Sequence, residues 1–266
     1  MRLLLTLNSG REKQLIPINY QYPFSAVIYR ILANADERYA SFLHDTGYKQ
    51  SDSLKSFKLF TFSDLKAPFK IQGDRLQLLT REATITVSFH LPEAAEHFIK
   101  GLFMNQQIEI ADKVSRAVFT VARVEILSNS LTQKTDQEVI LQPVSPIVCG
   151  RKDEKRNYTF LSPEDERYEE MLFLNWQEKL KAFLGTDEID ELMADAFIQI
   201  VFFKNQPKSR LITIKAGTPA ETKIRGFNNF TIKIKGKKEA VELLLNSGVG
   251  LYNAQGMGCV EVIGNV

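Results

Sequence analysis

The chain has 266 residues, 44% of them hydrophobic and 25% charged, with a formal net charge of +2. That length holds one large core or two domains of about 130 residues, and the composition is that of a globular protein rather than a disordered or fibrous one. The apolar start, residues 1–7, is too short for a secretion signal, and no apolar run approaches the roughly 18–20 residues that cross a bilayer. A cytoplasmic protein with no membrane partner is therefore expected. Cys149 and Cys259 lack metal-ligand spacing and read as reduced thiols.

Residues 1–7 alternate weakly in polarity and read as a first strand. The stretch 24–32 is apolar at helical spacing. Asn34 with Glu37 three positions on has the form of a capping box, so one helix stops near Ala33 and a second runs to His44. Residues 58–62 read as strand, as do 69–72 and 76–79 around the turn Gly73-Asp74, and 83–89 alternates with a period of two. Pro92 opens a helix that reaches Phe103, and 107–110 and 119–127 close the unit. Residues 129–137, polar with Leu131 as their one long apolar side chain, read as a linker.

The same order then begins again. Residues 138–141 are a strand, Ser162-Pro163-Glu164-Asp165 starts a helix that stops at Gly185, and 197–203, 211–215 and 230–234 are strands. A second helix spans 237–245 and a last strand 259–263. Strand–helix–strand–strand–helix–strand is the ferredoxin-like order. The fold class is α+β, two tandem ferredoxin-like (RRM-like, βαββαβ) domains, at 1–128 and 138–266.

Charge is segregated along the chain. Residues 164–195 hold eleven acidic against three basic side chains, whereas 196–238 hold ten basic ones, among them Lys204, Lys215, Arg225, Lys233 and Lys235, against Glu221 alone. Such a stripe is the electrostatic footprint of a polyphosphate partner, or else a solvated lysine-rich face. Arg151, Lys152, Lys155 and Arg156 form a second basic cluster. Four of the fourteen glycines fall within eleven positions near the end, as Gly248-Val249-Gly250 and Gly256-Met257-Gly258. One such pair reads as a helix C-cap and tight turn. Two pairs beside a basic neighbourhood favour a loop that aims backbone N–H groups at nucleic acid.

His90 and His97 read as satisfied or solvated, and no metal cluster, Ser/His/Asp set or Walker loop is legible. His44 has better company. Tyr29 lies fifteen residues earlier, about 22 Å away on one straight helix, but the break near 33–36 lets two short helices fold together, and Lys58 follows on the next strand. Histidine can move the proton of a ribose 2′-OH, and a lysine ammonium can stabilise charge gathering on phosphorus. Each also has a plain alternative: Tyr29 as core, His44 as a helix-end residue favoured by the dipole, Lys58 as a solvated strand end. Spacing alone ranks those alternatives first.

The chain resembles the CRISPR-associated repeat-processing endoribonucleases, the sixth Cas family of the RAMP superfamily. The resemblance rests on the two Gly-apolar-Gly pairs around Asn253, together with 40–44, 58–63, 101–105 and 141–147. It implies cofactor-free cleavage of CRISPR repeat RNA to mature crRNA. The 2′-hydroxyl would attack the adjacent phosphate, leaving 2′,3′-cyclic phosphate and 5′-OH ends. By the same resemblance Tyr29, His44 and Lys58 are the catalytic set. The insertion at 48–57 lengthens the His-to-Lys gap, so Lys49 and Lys55 compete with Lys58 for the lysine's place. RNA-binding residues are expected at Gly248, Gly250, Asn253, Gly256, Gly258, Lys215, Arg225, Lys233, Lys235, Arg151 and Lys152. The stretch 225–230 distantly resembles an RRM ribonucleoprotein motif. Other Cas proteins and a second copy of the chain are candidate partners. Some members bind RNA without cutting it, so a silent RNA-binding or scaffolding subunit is the alternative.

Overall fold

The computed structural model describes all residues except 51–54, 129–130, 153–157, 186–188, 202–205 and 266. Its first half runs β1 (Arg2–Asn8), β2 (Leu15–Pro17), α1 (Gln21–Ala35), α2 (Glu37–Ser41), a π-helical turn (Phe42–Thr46), β3 (Phe60–Phe62), β4 (Phe69–Gln72), β5 (Arg75–Leu78), β6 (Glu82–Phe89), α3 (Pro92–Met104), β7 (Gln107–Ala111) and β8 (Arg116–Leu127). The second half runs β9 (Asp136–Pro143), β10 (Gly150–Lys152), β11 (Tyr158–Phe160), α4 (Tyr168–Leu184), α5 (Ile189–Met193), β12 (Phe197–Val201), β13 (Lys208–Ile214), β14 (Thr222–Asn228), β15 (Thr231–Lys237), α6 (Lys238–Ser247), a 3₁₀ turn (Asn253–Gln255) and β16 (Val260–Asn265). Among the described residues no helix is long and apolar enough to cross a membrane.

The main sheets are ordered β3-β6-β1-β8-β7 and β12-β15-β9-β16. Numbered within each βαββαβ unit, both read 2-3-1-4, the first with β7 added at its edge. Alternation decides which face is covered. Leu3, Leu5 and Leu7 of β1 and Ile85, Val87 and Phe89 of β6 pack under α1 and α3, and Val139, Leu141, Ile232 and Ile234 pack under α4 and α6. Leu59, chain neighbour of the first sheet's edge strand, is buried in the second core instead. Further ties close the seam: Arg2 Nη2 donates to the Val260 carbonyl at 2.8 Å, Thr61 Oγ1 to Met257 at 2.9 Å, and Arg210 pairs with Asp64 at 2.9 Å.

Local differences from the sequence-based expectation have physical causes. The break between α1 and α2 falls at Asp36, not Asn34, because Asp36 Oδ1 accepts the Tyr39 N–H at 2.8 Å and its backbone is extended. Residues 162–167 form successive turns, the Asp165 amide reaching the Ser162 carbonyl and Tyr168 reaching Asp165, so α4 starts six residues after Ser162. The segment 225–230 runs from the end of a strand into a turn. Residues 222–228 form β14, paired with all of β13, and Gly226 sits where a Cβ would lie 2.8 Å from Pro146 Cβ. β9 begins at Asp136, inside the span expected as linker, and residues 129–130 of that span lie outside the described residues.

Candidate RNA-processing cleft

A cleft of about 690 Å³ opens along the seam between the two halves. From the first half it is lined by Tyr22, Ser25, Tyr29, His44 and the segment 55–59. From the second it is lined by Tyr158, Asn175, Lys179, Lys215, Ser247 and the arm 250–255. Tyr29, His44 and Lys58 thus share a wall, facing the glycine-bearing loop.

The first wall follows from how the chain leaves α2. The helix widens into a π turn over Phe42–Thr46 and stops at Gly47, whose φ is +63°. A Cβ on Gly47 would lie 2.7 Å from the Phe57 carbonyl oxygen and 2.8 Å from Lys58 Cδ, so only glycine lets Lys58 cross the turn. The Lys58 ammonium donates to the His44 carbonyl at 2.8 Å. Desolvation lowers its pKa, and Asp45 opposes that shift. The His44 side chain is 66% exposed, with Nδ1 2.7 Å from Asp45 Oδ1. Its ring lies edge-on to Tyr29 at 5.0 Å between centroids, and Tyr29 in turn packs on Phe60 at 5.6 Å. Burial raises the Tyr29 pKa, so its hydroxyl stays protonated and is a donor.

Of the competing lysines, Lys55 donates to both carboxylate oxygens of Glu178 at 2.7 Å, an ion pair across the cleft mouth. Lys49 is exposed and is not among the lining residues. His90 departs from expectation. Its Nδ1 is buried and has no hydrogen-bond partner among the described residues, and its ring meets Phe183 edge-on at 4.7 Å. His97 pairs with Glu93 at 3.7 Å and lies against Tyr39. Both cysteines are buried free thiols, desolvated upward to about 12 for Cys149 and about 11 for Cys259.

The glycine loop is built differently from a phosphate-facing row of amides. The Gly248 N–H caps α6 on the Leu244 carbonyl, Gly256 donates to Asn253, and Gly258 donates to Pro146. Those amides are committed inside the protein. The glycines provide space instead: a Cβ would lie 2.3 Å from the Val148 carbonyl oxygen at Gly250 and 2.3 Å from the Phe62 ring at Gly256. At Gly258 it would strike the Val249 carbonyl oxygen. Gly250 and Asn253 reach the cleft wall, while Gly248, Gly256 and Gly258 lie behind it.

Several cations of the basic stripe are paired with carboxylates. Arg210 pairs with Asp64, Lys223 with Glu221, Lys233 with Glu138 and Lys237 with Asp136. Lys233 and Lys235 occupy the face of β15 opposite Ile232 and Ile234 and are not among the cleft-lining residues. Arg225 is exposed on β14 and donates to Ser209 Oγ at 3.2 Å. Arg151 is exposed on β10 and is not among the cleft-lining residues, and the Lys152 side chain lies outside the described residues. Lys155, Arg156 and Lys204 lie outside the described residues. Among the described side chains of the expected RNA-binding cations, Lys215 alone lines the cleft.

Sequence reasoning missed Lys179. It is 1% exposed, it donates to the Gly248 carbonyl and, at 2.7 Å, to Asn253 Oδ1, and desolvation lowers its pKa to about 7. The signal was present. Tyr168, Leu172, Trp176 and Lys179 follow one helical stripe, and a lysine stands where the period calls for an apolar residue.

By its fold the protein is of the class built from two tandem ferredoxin-like units with a glycine-bearing loop lying across their seam. The chain belongs to the Cas6 family: the model of the CRISPR-associated protein Cas6 C-terminal region matches residues 129–262, and that of the Cas6 N-terminal region matches 15–125. It is similar to the CRISPR-associated endoribonuclease Cas6 1 of Methanocaldococcus jannaschii, 25% identical over 98% of this chain and 92% of the relative. The CRISPR-associated endoribonuclease Cas6 of Pyrococcus furiosus is 22% identical over 94% of this chain and 84% of its own. A solved Cas6-related protein from Pyrococcus furiosus superposes with a TM-score of 0.75, at 21% identity over 99% of this chain and 98% of that one.

Proposed function

We propose that this protein is an endoribonuclease that cuts CRISPR repeat RNA to mature crRNA, through attack of a 2′-hydroxyl on the neighbouring phosphate without a metal ion. The products are a 2′,3′-cyclic phosphate and a 5′-hydroxyl. The observation that carries this reading is the meeting of Tyr29, His44 and Lys58 on one wall of a cleft whose other wall is the arm 250–255. The membership of the chain in the Cas6 family supports the same substrate.

The roles follow from the chemistry of each side chain. The exposed Nε2 edge of His44 is free to reach a strand in the cleft while Nδ1 is held by Asp45, an arrangement suited to taking the 2′-OH proton or delivering one to the leaving 5′-oxygen. Lys58 uses one N–H on the His44 carbonyl and has two more for the phosphorane oxygens. Tyr29, kept protonated by burial, donates to a phosphate oxygen and fixes the imidazole plane. Tyr158 and Tyr252, 6.2 Å apart between centroids, offer aromatic faces for unpaired bases.

The test is cleavage of the cognate repeat RNA in EDTA by the parent and by His44→Ala, with the 3′ ends examined for cyclic phosphate. Cleavage lost only in the variant, with cyclic ends from the parent, is the expected result. Undiminished cutting by the variant removes His44 from the mechanism. Tight binding without cutting by the parent makes the protein a silent RNA-binding subunit of a CRISPR ribonucleoprotein.

A further inference from the structure

The floor of the cleft holds a group that this mechanism does not use. Lys179 projects from α4 into the space beneath the loop that joins α6 to β16, and its ammonium donates to the Gly248 carbonyl and to Asn253 Oδ1. Asn253 in turn gives its amide protons to the Val249 carbonyl at 3.1 Å and the Met257 carbonyl at 3.0 Å. One ammonium therefore joins both Gly-apolar-Gly pairs, directly at the first and through Asn253 at each. The arm it braces is fixed to the opposite wall as well, where Ser25 Oγ donates to the Ala254 carbonyl at 2.6 Å, four residues before Tyr29 on the same helix.

A buried ammonium needs a counter-charge, and among the described residues its surroundings supply none that offsets its burial. α4 itself presents Asn175, whose two polar side-chain atoms are buried without a partner among the described residues, and Glu178, which is taken by Lys55. From α6 come Asn246 and Ser247, from the loop Tyr252 and Asn253, from β11 Tyr158, from the end of β13 Lys215, and from the facing wall His44, Asp45 and Lys58. Desolvation is the sole cause of the lowered Lys179 pKa, and it brings the proton within reach of neutral pH. An anion entering the cleft would provide the missing charge and so favour the protonated form.

We propose that Lys179 is a positioning residue of this cleft: its ammonium holds the glycine-bearing arm in its RNA-binding shape, and bound phosphate is its counter-charge, so that RNA binding takes up a proton at Lys179. The proposal rests on the cleft being the RNA site. It makes affinity depend on pH through a group that touches neither the scissile bond nor His44. Above about pH 7, where the free protein sheds this proton, affinity falls by up to about tenfold per pH unit.

The experiment is calorimetric titration of the uncut repeat RNA into the His44→Ala protein, which removes the imidazole from the proton balance. Heats near pH 8 in two buffers of different ionisation enthalpy give the protons taken up. The expected result is uptake approaching one proton per RNA near pH 8 and almost none near pH 6. Adding Lys179→Arg keeps the charge and is expected to abolish the uptake while preserving affinity near pH 8. Adding Lys179→Met is expected to abolish uptake and weaken binding at every pH. Should Lys179→Met fail to fold, the arginine variant still decides. RNA bound without proton uptake, or uptake that persists in Lys179→Arg, overturns the proposal and leaves the nuclease reading standing. RNA that binds neither the parent nor the His44→Ala protein overturns the cleft reading, and the proposal with it.

Discussion

Lys58 sits where packing and chemistry meet. Its ammonium braces the turn that carries His44, and the same charge lines the cleft. Lys58→Ala is expected to lower the single-turnover cleavage rate by roughly 10²–10³-fold, the usual loss when one donor to a developing oxyanion is removed. RNA affinity should change far less, and Lys55→Ala, which breaks the pair with Glu178 at the rim, should leave the rate within a few-fold. A rate loss that follows Lys55 instead would reassign the lysine. His90 illustrates a titration tied to stability rather than to turnover. Burial, with the Met1 ammonium adding to it, lowers its pKa to about 4 from 6.5. The unfolded chain then binds more protons than the folded one between those values, so this contribution to stability is present above about pH 6.5 and is lost as pH falls towards about 4. Thermal melts of His90→Phe against the parent across that window should show a flatter acid limb in the variant.

At the scale of elements, the glycine loop shows what spacing conveys and what it conceals. Two Gly-apolar-Gly pairs can be read from the sequence because glycine is rare at such density. Their reason cannot, because the atoms that exclude a Cβ include the Phe62 ring and the Val148 carbonyl, both about a hundred residues or more away. The two obstacles differ in kind. Gly256→Ala meets a side chain, while Gly250→Ala meets backbone, and both have positive φ. Each is expected to destabilise by more than about 2 kcal/mol in denaturant melts, combining steric and backbone strain. Phe62→Leu should recover part of the loss at Gly256, whereas no neighbouring truncation should rescue Gly250. The hairpin of β10 and β11 and the strand β14 escaped sequence reading for related reasons. β14 carries Gly226 in its interior, a residue that argues against a strand until Pro146 and Val148 are seen packed on it. The longer helices and the strands of the main sheets were legible because their apolar period is set by the cores they cover, whereas the five-residue α5 is too short to show one.

Over the whole molecule, the fold rearranges charge that looked one-sided along the chain. The carboxylates that answer the basic stretch lie elsewhere in the sequence: Asp64 beside Arg210, Glu138 beside Lys233 at 2.6 Å, Asp136 beside Lys237. Asp64 also accepts from Tyr20 and Gln21, so the Arg210 pair binds the second half to the first and is not available to a polyphosphate. The number of lysines between 196 and 238 therefore overstates how many phosphates the protein neutralises. Each phosphate neutralised contributes about 0.7–0.9 to the slope of log affinity against log salt. Lys215 lines the cleft, and Lys215→Ala should lower that slope by nearly one unit and weaken every RNA uniformly. Lys233→Ala, which frees Glu138 on the neighbouring strand β9, should leave the slope unchanged. Equal slope losses for the two variants would mean that RNA runs over the outer face of the second sheet rather than along the seam, and the cleft would then lose its claim to the substrate.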